Sequence, residues 1–65
     1  MTVTINGEQH STTAGTILDL LMHLQIDPRR VAVELNMDIL PKDAYELTSL
    51  QDGDRIEIVH FVGGG

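Results

Sequence analysis

Apolar and polar side chains alternate from the first residue, with Met1, Val3 and Ile5 in one phase and Thr2 and Thr4 in the other. Period two marks a strand with one buried face. Asn6-Gly7 follows, a dipeptide suited to a type I′ hairpin turn, whose two central residues need positive φ. Residues 8–12 return as a polar second strand, expected at a sheet edge. The period then changes. Ile17, Leu20, Leu21 and Leu24 stand at i, i+3, i+4 and i+7, which places them on one side of a helix; Leu18 and Met22 widen that stripe. Thr16 suits the N-cap, and Asp19 three residues later resembles a capping box with aspartate in the acidic place. The helix is expected to end at Asp27-Pro28, because a residue before proline is pushed out of the α region.

Alternation resumes with Val31, Val33 and Leu35 around Ala32 and Glu34, which predicts a third strand. Asn36-Met37 reads as a turn, since asparagine tolerates the left-handed region. A short segment, residues 38–40, is stopped by Pro41. Residues 42–50 have no clean period, and a helical turn is expected there with Tyr45, Leu47 or Leu50 pointing inward. Gln51-Asp52-Gly53-Asp54 is a tight turn, and residues 55–62 form the last strand before Gly63-Gly64-Gly65. Such a sheet must bury its apolar face against the helix. With the last strand parallel to the first, right-handed crossover leaves few topologies. The simplest is an α+β fold, a mixed four- to five-stranded sheet packed on one main helix, the β-grasp or ubiquitin-like arrangement. Residues 1–62 would form the domain and residues 63–65 a flexible glycine tail.

A chain of 65 residues has room for one domain. At that size only about 60% of the unfolded surface is buried, which leaves little volume for an enclosed active site. Cysteine is absent, which removes disulfides, thiolate metal sites and a cysteine nucleophile. Ten acidic residues against four basic ones give a net charge of −6. That balance argues against nucleic acid, whose phosphates are bound by Lys and Arg, and against an anionic membrane surface. It favours a partner with a basic docking face, although solubility alone would be served by the same charge. No export signal opens the chain. The longest apolar pattern, residues 17–26, contains Asp19, His23 and Gln25 and is too short to span a bilayer. The expected location is the cytoplasm.

Conventional active sites are hard to build from this inventory. His10, His23 and His60 fall on a hairpin strand, the helix and the last strand, and no pair has metal-ligand spacing. Neither Ser11 nor Ser49 sits in a nucleophile elbow. Asp52 and Asp54 flank Gly53 as ordinary turn residues. The terminus remains. Three glycines after an apolar strand make an arm without side chains, able to thread a channel that excludes other residues. Its carboxylate can attack the α-phosphorus of ATP to give an acyl-adenylate. A nucleophilic sulfur can then displace AMP and leave a thiocarboxylate. The plain alternative is a frayed end. In the last strand Ile56 and Ile58 hold one phase while Val59 and Phe61 are apolar in the other. Val59, Phe61 and Val62 are therefore expected to dock partners, unless the strand is covered on both faces or bulged.

Four segments carry a resemblance that covers the whole chain: Val31-Ala32-Val33-Glu34-Leu35-Asn36, Ile39-Leu40-Pro41-Lys42, residues 52–59 from Asp52-Gly53-Asp54 onward, and Val62-Gly63-Gly64-Gly65. Together with the Asn6-Gly7 hairpin and the Gly15-Thr16 helix start, they closely resemble the ThiS family, the ubiquitin-like sulfur carriers of thiamin biosynthesis. The resemblance implies a protein co-substrate rather than an enzyme. An E1-like adenylyltransferase of the ThiF type would adenylate Gly65 with ATP and magnesium, both held by that partner, so this chain itself would bind no cofactor. A sulfur donor such as a cysteine desulfurase would convert the adenylate to a thiocarboxylate. A thiazole synthase of the ThiG type would take the sulfur. Gly64 matches the penultimate glycine, and Gly63, Gly64 and Gly65 would enter the partners' active sites. Lys42 stands where the family commonly has arginine, and Tyr45 lies near a frequent tryptophan. Sibling carriers for molybdopterin, tRNA thiolation or cysteine synthesis share the Gly-Gly end. A β-grasp binding module whose glycines do nothing also fits.

Overall fold

In the computed structural model, which describes residues 1–61, Asn6 and Gly7 reverse the chain with φ of 49° and 85°. Those are the two positive values a type I′ turn needs. The turn joins β1 (Thr2–Ile5) to β2 (Glu8–Ser11) with Ile5 opposite Glu8. The expected glycine tail and Val62, the last position of the expected final strand, lie outside the described residues.

Helix α1 spans Ile17–His23. The Thr16 hydroxyl accepts from the Asp19 N–H at 3.1 Å, as the sequence predicts. The Asp19 carboxylate accepts from the N–H of Gly15 at 3.4 Å, one residue before the position a capping box would use. The end of the helix differs from expectation. It closes at His23, before Asp27-Pro28, because Gln25 adopts a left-handed φ of 59°. The Gln25 and Ile26 N–H groups then donate to the carbonyls of Met22 and Leu21 at 3.0 and 2.9 Å. This is a Schellman closure with glutamine where glycine is usual, and Ile26 packs on the core beside it. Met22 is 60% exposed and does not widen the buried stripe, which consists of Ile17, Leu20 and Leu21.

Pro28 starts a turn of 3-10 helix, Pro28–Arg30, rather than merely stopping the helix before it. Asp27 caps that turn, accepting from the Arg29 N–H at 2.9 Å and from the Arg29 guanidinium at 2.9 and 3.1 Å. The side-chain hydrogen bonds from Arg29 hold the Asp27 carboxyl down from 3.8 to about 2. A carboxyl lowered on folding contributes stability above its unfolded pKa, and that contribution disappears as pH falls through the folded one. A carbon-detected titration should give Asp27 a midpoint near pH 2, and Arg29→Ala should return it toward 3.8. The variant should also lose less stability across that window than the parent. A midpoint unmoved by the substitution would show that Arg29 does not hold the carboxylate.

Strand β3 (Val31–Leu35) turns into β4 (Asp38–Leu40) through Asn36 and Met37, both with positive φ. A second turn of 3-10 helix, Lys42–Ala44, follows Pro41. Of the three inward candidates in the aperiodic stretch, Tyr45 and Leu50 are buried and Leu47 is 78% exposed. Strand β5 (Arg55–His60) enters last and takes the centre of the sheet, whose order is β2-β1-β5-β3-β4. It pairs parallel with β1 and antiparallel with β3, so the sheet is mixed and five-stranded. Val3, Ile5, Val31, Val33, Ile56 and Ile58 face α1, and Ala14, Tyr45 and Leu50 close the remaining gaps. Burial of each large aliphatic stabilises the fold by about 1.5–3 kcal/mol. Among the described residues Tyr45 is the one buried side chain with a polar group, no charged side chain is buried, and no helix is long and apolar enough to cross a membrane.

Candidate functional site

Strand β5 is held from both sides by the asparagines of the two hairpin turns. The Asn6 amide donates to the Ile58 carbonyl at 3.1 Å and accepts from the Ile58 N–H at 2.7 Å. The Asn36 side-chain carbonyl accepts from the Arg55 N–H at 3.0 Å, while its amide donates to Asp54 at 3.0 Å. The left-handed backbone that asparagine tolerates is what aims each side chain at β5. Sequence reading singled out these residues only as turn formers.

With Ile56 and Ile58 on the helix, the other phase of β5 faces outward. Val59 is 57% exposed and Phe61 59% exposed. Register with β3 is continuous from Val31 opposite His60 to Leu35 opposite Ile56, so no bulge explains the two apolar phases. The strand is central, but among the described residues only one of its faces is covered. On the open face Ala32 lies opposite Val59, Glu34 opposite Glu57, and Ile39 of β4 opposite Glu34. Val62, the third expected docking residue, lies outside the described residues together with Gly63, Gly64 and Gly65.

Past β5 the ladder continues by one bond, from the Phe61 N–H to the Arg30 carbonyl at 2.9 Å. Beside it stands Lys42, whose Nζ donates to the carbonyls of Val31 at 2.7 Å and Pro28 at 3.1 Å. The same ammonium lies 5.1 Å from the centroid of the Phe61 ring and 5.9 Å from that of Tyr45, within cation–π range. The Tyr45 hydroxyl donates to the Val31 carbonyl at 3.4 Å, and burial pushes its phenol pKa up. No local pattern announces this cluster, because its members come from three separate segments.

The remaining polar candidates fall to structural duties or to no shared site. Asp52 accepts from the Thr2 N–H at 2.7 Å and Asp54 from the Gln51 N–H at 2.8 Å, so both turn acids tie down the loop. His10 and His23 line one open groove with Ser11, Leu20 and Leu24, a meeting the sequence did not suggest. His60 stands on the last strand opposite Val31, and Ser49 bridges to Thr16. Among the described residues no three His, Asp or Glu side chains are grouped to hold a metal ion.

Among the described residues one α-helix is gripped by a mixed sheet with β5 at its centre, the arrangement of the ubiquitin-like β-grasp proteins. The fold superposes on the crystal structure of the thiamine biosynthesis protein ThiS from Geobacter metallireducens with a TM-score of 0.85, at 33% identity over the full length of both chains. The model of the ThiS family matches residues 3–65, and this chain belongs to that family. It is 53% identical to the sulfur carrier protein ThiS of Bacillus subtilis over 51 residues, 78% of this chain and 77% of that one. It is also 47% identical, over its whole length, to thiazole synthases of Paramagnetospirillum magneticum and Magnetococcus marinus. The chain spans 20% of the length of each of those two relatives.

Proposed function

We propose that this chain is a sulfur carrier for thiamin biosynthesis, a co-substrate that other proteins energise, load and unload at Gly65. The observation that carries this reading is the family match, which runs through residue 65 and so includes Gly63-Gly64-Gly65. The reading requires a free carboxylate on Gly65. An adenylyltransferase of the ThiF type, holding ATP and magnesium, lets that carboxylate attack the α-phosphorus, and pyrophosphate leaves. The terminal sulfur of a persulfide on a donor such as a cysteine desulfurase then adds to the acyl carbon, and AMP leaves with the oxygen it brought from the carboxylate. A thiol reductant cleaves the acyl disulfide, releasing the thiocarboxylate and itself ending as a disulfide. The resulting thiocarboxylate passes its sulfur to a thiazole synthase. The two relatives in which a stretch like this chain lies within a polypeptide named thiazole synthase support that choice of acceptor. In this reading the chain works in a reducing cytoplasm.

The exposed residues Val59 and Phe61 supply the apolar centre of a docking face, and Val62 extends it by sequence. Glu34 and Glu57 stand directly opposite one another on the same face. Like charges so placed destabilise a sheet, and a partner's Arg or Lys relieves that repulsion on binding.

Incubation with the activating enzyme, ATP, magnesium and a sulfur source should raise the intact mass by the exchange of one oxygen for sulfur, and fragmentation should place it on Gly65. The loaded protein should be consumed by thiazole synthase and left intact by the large subunit of molybdopterin synthase. Gly65→Ala should keep the melting temperature while its loading rate drops by about a hundredfold, the effect of misplacing a reacting group by an ångström or so. An unmodified wild-type mass would overturn the proposal.

A further inference from the structure

We infer that Lys42 is a positioning residue for the chemistry at Gly65, because its ammonium ion, seated on the Pro28 and Val31 carbonyls, grips the ring of Phe61, the point from which residues 62–65 begin. This inference rests on the carrier reading above and adds to it the residue that sets where the arm starts.

The geometry is unusual for an exposed lysine. A solvated ammonium on a surface normally spends its three donors on water. Here two of them are committed to main-chain carbonyls at 2.7 and 3.1 Å. Pro41, with φ of −65°, starts the 3-10 turn that carries Lys42, and Tyr45 in the following turn shares the Val31 carbonyl. Phe61 is thereby held twice. Its N–H rests on the Arg30 carbonyl at 2.9 Å, and its ring lies 5.1 Å from the ammonium that occupies the next carbonyl along, that of Val31. Backbone and side chain are gripped on neighbouring peptide units of one strand entry.

Fixing Phe61 has a kinetic meaning. A partner that takes hold of the chain at Phe61 meets a residue already placed by two contacts, and so spends less on ordering it than it would on an unanchored one. Loosening Phe61 adds an ordering cost to docking without touching the acyl group itself. Such a loss raises KM for the carrier and leaves kcat alone. Lys42→Met keeps the aliphatic stem and removes the cation; Lys42→Arg keeps the cation and its donors.

The test has two readouts. Hydrogen exchange at the Phe61 amide of the wild-type protein should be slowed at least about tenfold relative to an unstructured peptide. Lys42→Met should remove that protection while amides in β1 and β3 stay protected, and Lys42→Arg should restore it. In thiocarboxylate formation, Lys42→Met should raise KM for the carrier by about fivefold to tenfold at an unchanged kcat, again with recovery in Lys42→Arg. An unprotected Phe61 amide in the wild type overturns the inference without any variant having to fold. So does Lys42→Met with wild-type protection or wild-type KM. Wild-type protein that is never loaded instead defeats the carrier reading, while the exchange measurement still reports on Lys42.

Discussion

A chain shortened to end at Gly63 will fold as the 65-residue chain does and will acquire no sulfur. Every side chain of the described core lies between Val3 and Ile58, so removing Gly64 and Gly65 takes nothing from it. The shortened chain still ends in a glycine carboxylate of the same intrinsic nucleophilicity. What changes is reach. Each extended residue spans about 3.3–3.6 Å, so the reacting oxygen falls short by roughly 7 Å. An error of about 1 Å in a reacting position already costs on the order of a hundredfold, and loading should sink below detection. Intact mass after incubation with the activating enzyme measures the loss, and a circular-dichroism melt measures the fold. Loading at the parent's rate would mean that the glycines are not the working group. Failure to fold would mean that they are part of the domain.

The reverse dissociation is expected at Leu21. Its side chain is fully buried on the sheet-facing side of α1, and its carbonyl receives the Ile26 N–H that closes the helix. Leu21→Ala should cost about 2–5 kcal/mol, the range for buried leucine truncations that leave a cavity. Marginal stability of about 0.05–0.15 kcal/mol per residue gives a domain of this length roughly 3–10 kcal/mol in all. One substitution therefore removes a large fraction of the margin, and the melting temperature should fall by at least about 10 °C. Leu47→Ala, at a position 78% exposed, should change stability by less than about 0.5 kcal/mol. Loading of whatever fraction of Leu21→Ala remains folded should proceed at the parent's rate. A melting temperature within a few degrees of the parent's would contradict the packing described.

Most of the architecture was legible because its signals are local. Asn6-Gly7 declares its turn through backbone conformation, Thr16 its cap through one hydroxyl, and β1 and β3 their inward faces through alternation. The helix end was misplaced because Gln25 carries no mark of a left-handed residue; the closure depends on Ile26 finding the core, which is a tertiary event. Pro28 looked like a terminator and is the first residue of another turn. Residues 42–50 were unreadable since Tyr45 and Leu50 reach the core from an irregular path, with no period to betray them. The two apolar phases of β5 were visible, but choosing between a covered and an open face needs the strand order. Lys42 offered no local sign of its partners, Phe61 and the carbonyls of residues 28 and 31 being distant in sequence. The glycine tail is a reading from composition and position, and it lies outside the described residues.

The parallel pairing of β1 with β5, Thr4 beside Arg55 and Ile5 beside Ile56, has a consequence for how the protein comes into being. Until β5 is made, the β1–β2 and β3–β4 hairpins share no strand, and a lone two-stranded ribbon is barely stable in water. Contacts so distant in sequence also make folding wait on loop closure. A chain that stops before β5 thus holds two separate hairpins and no joined sheet. Synthesis of β5 brings the helix-facing core together in one step, so the domain forms late and all at once.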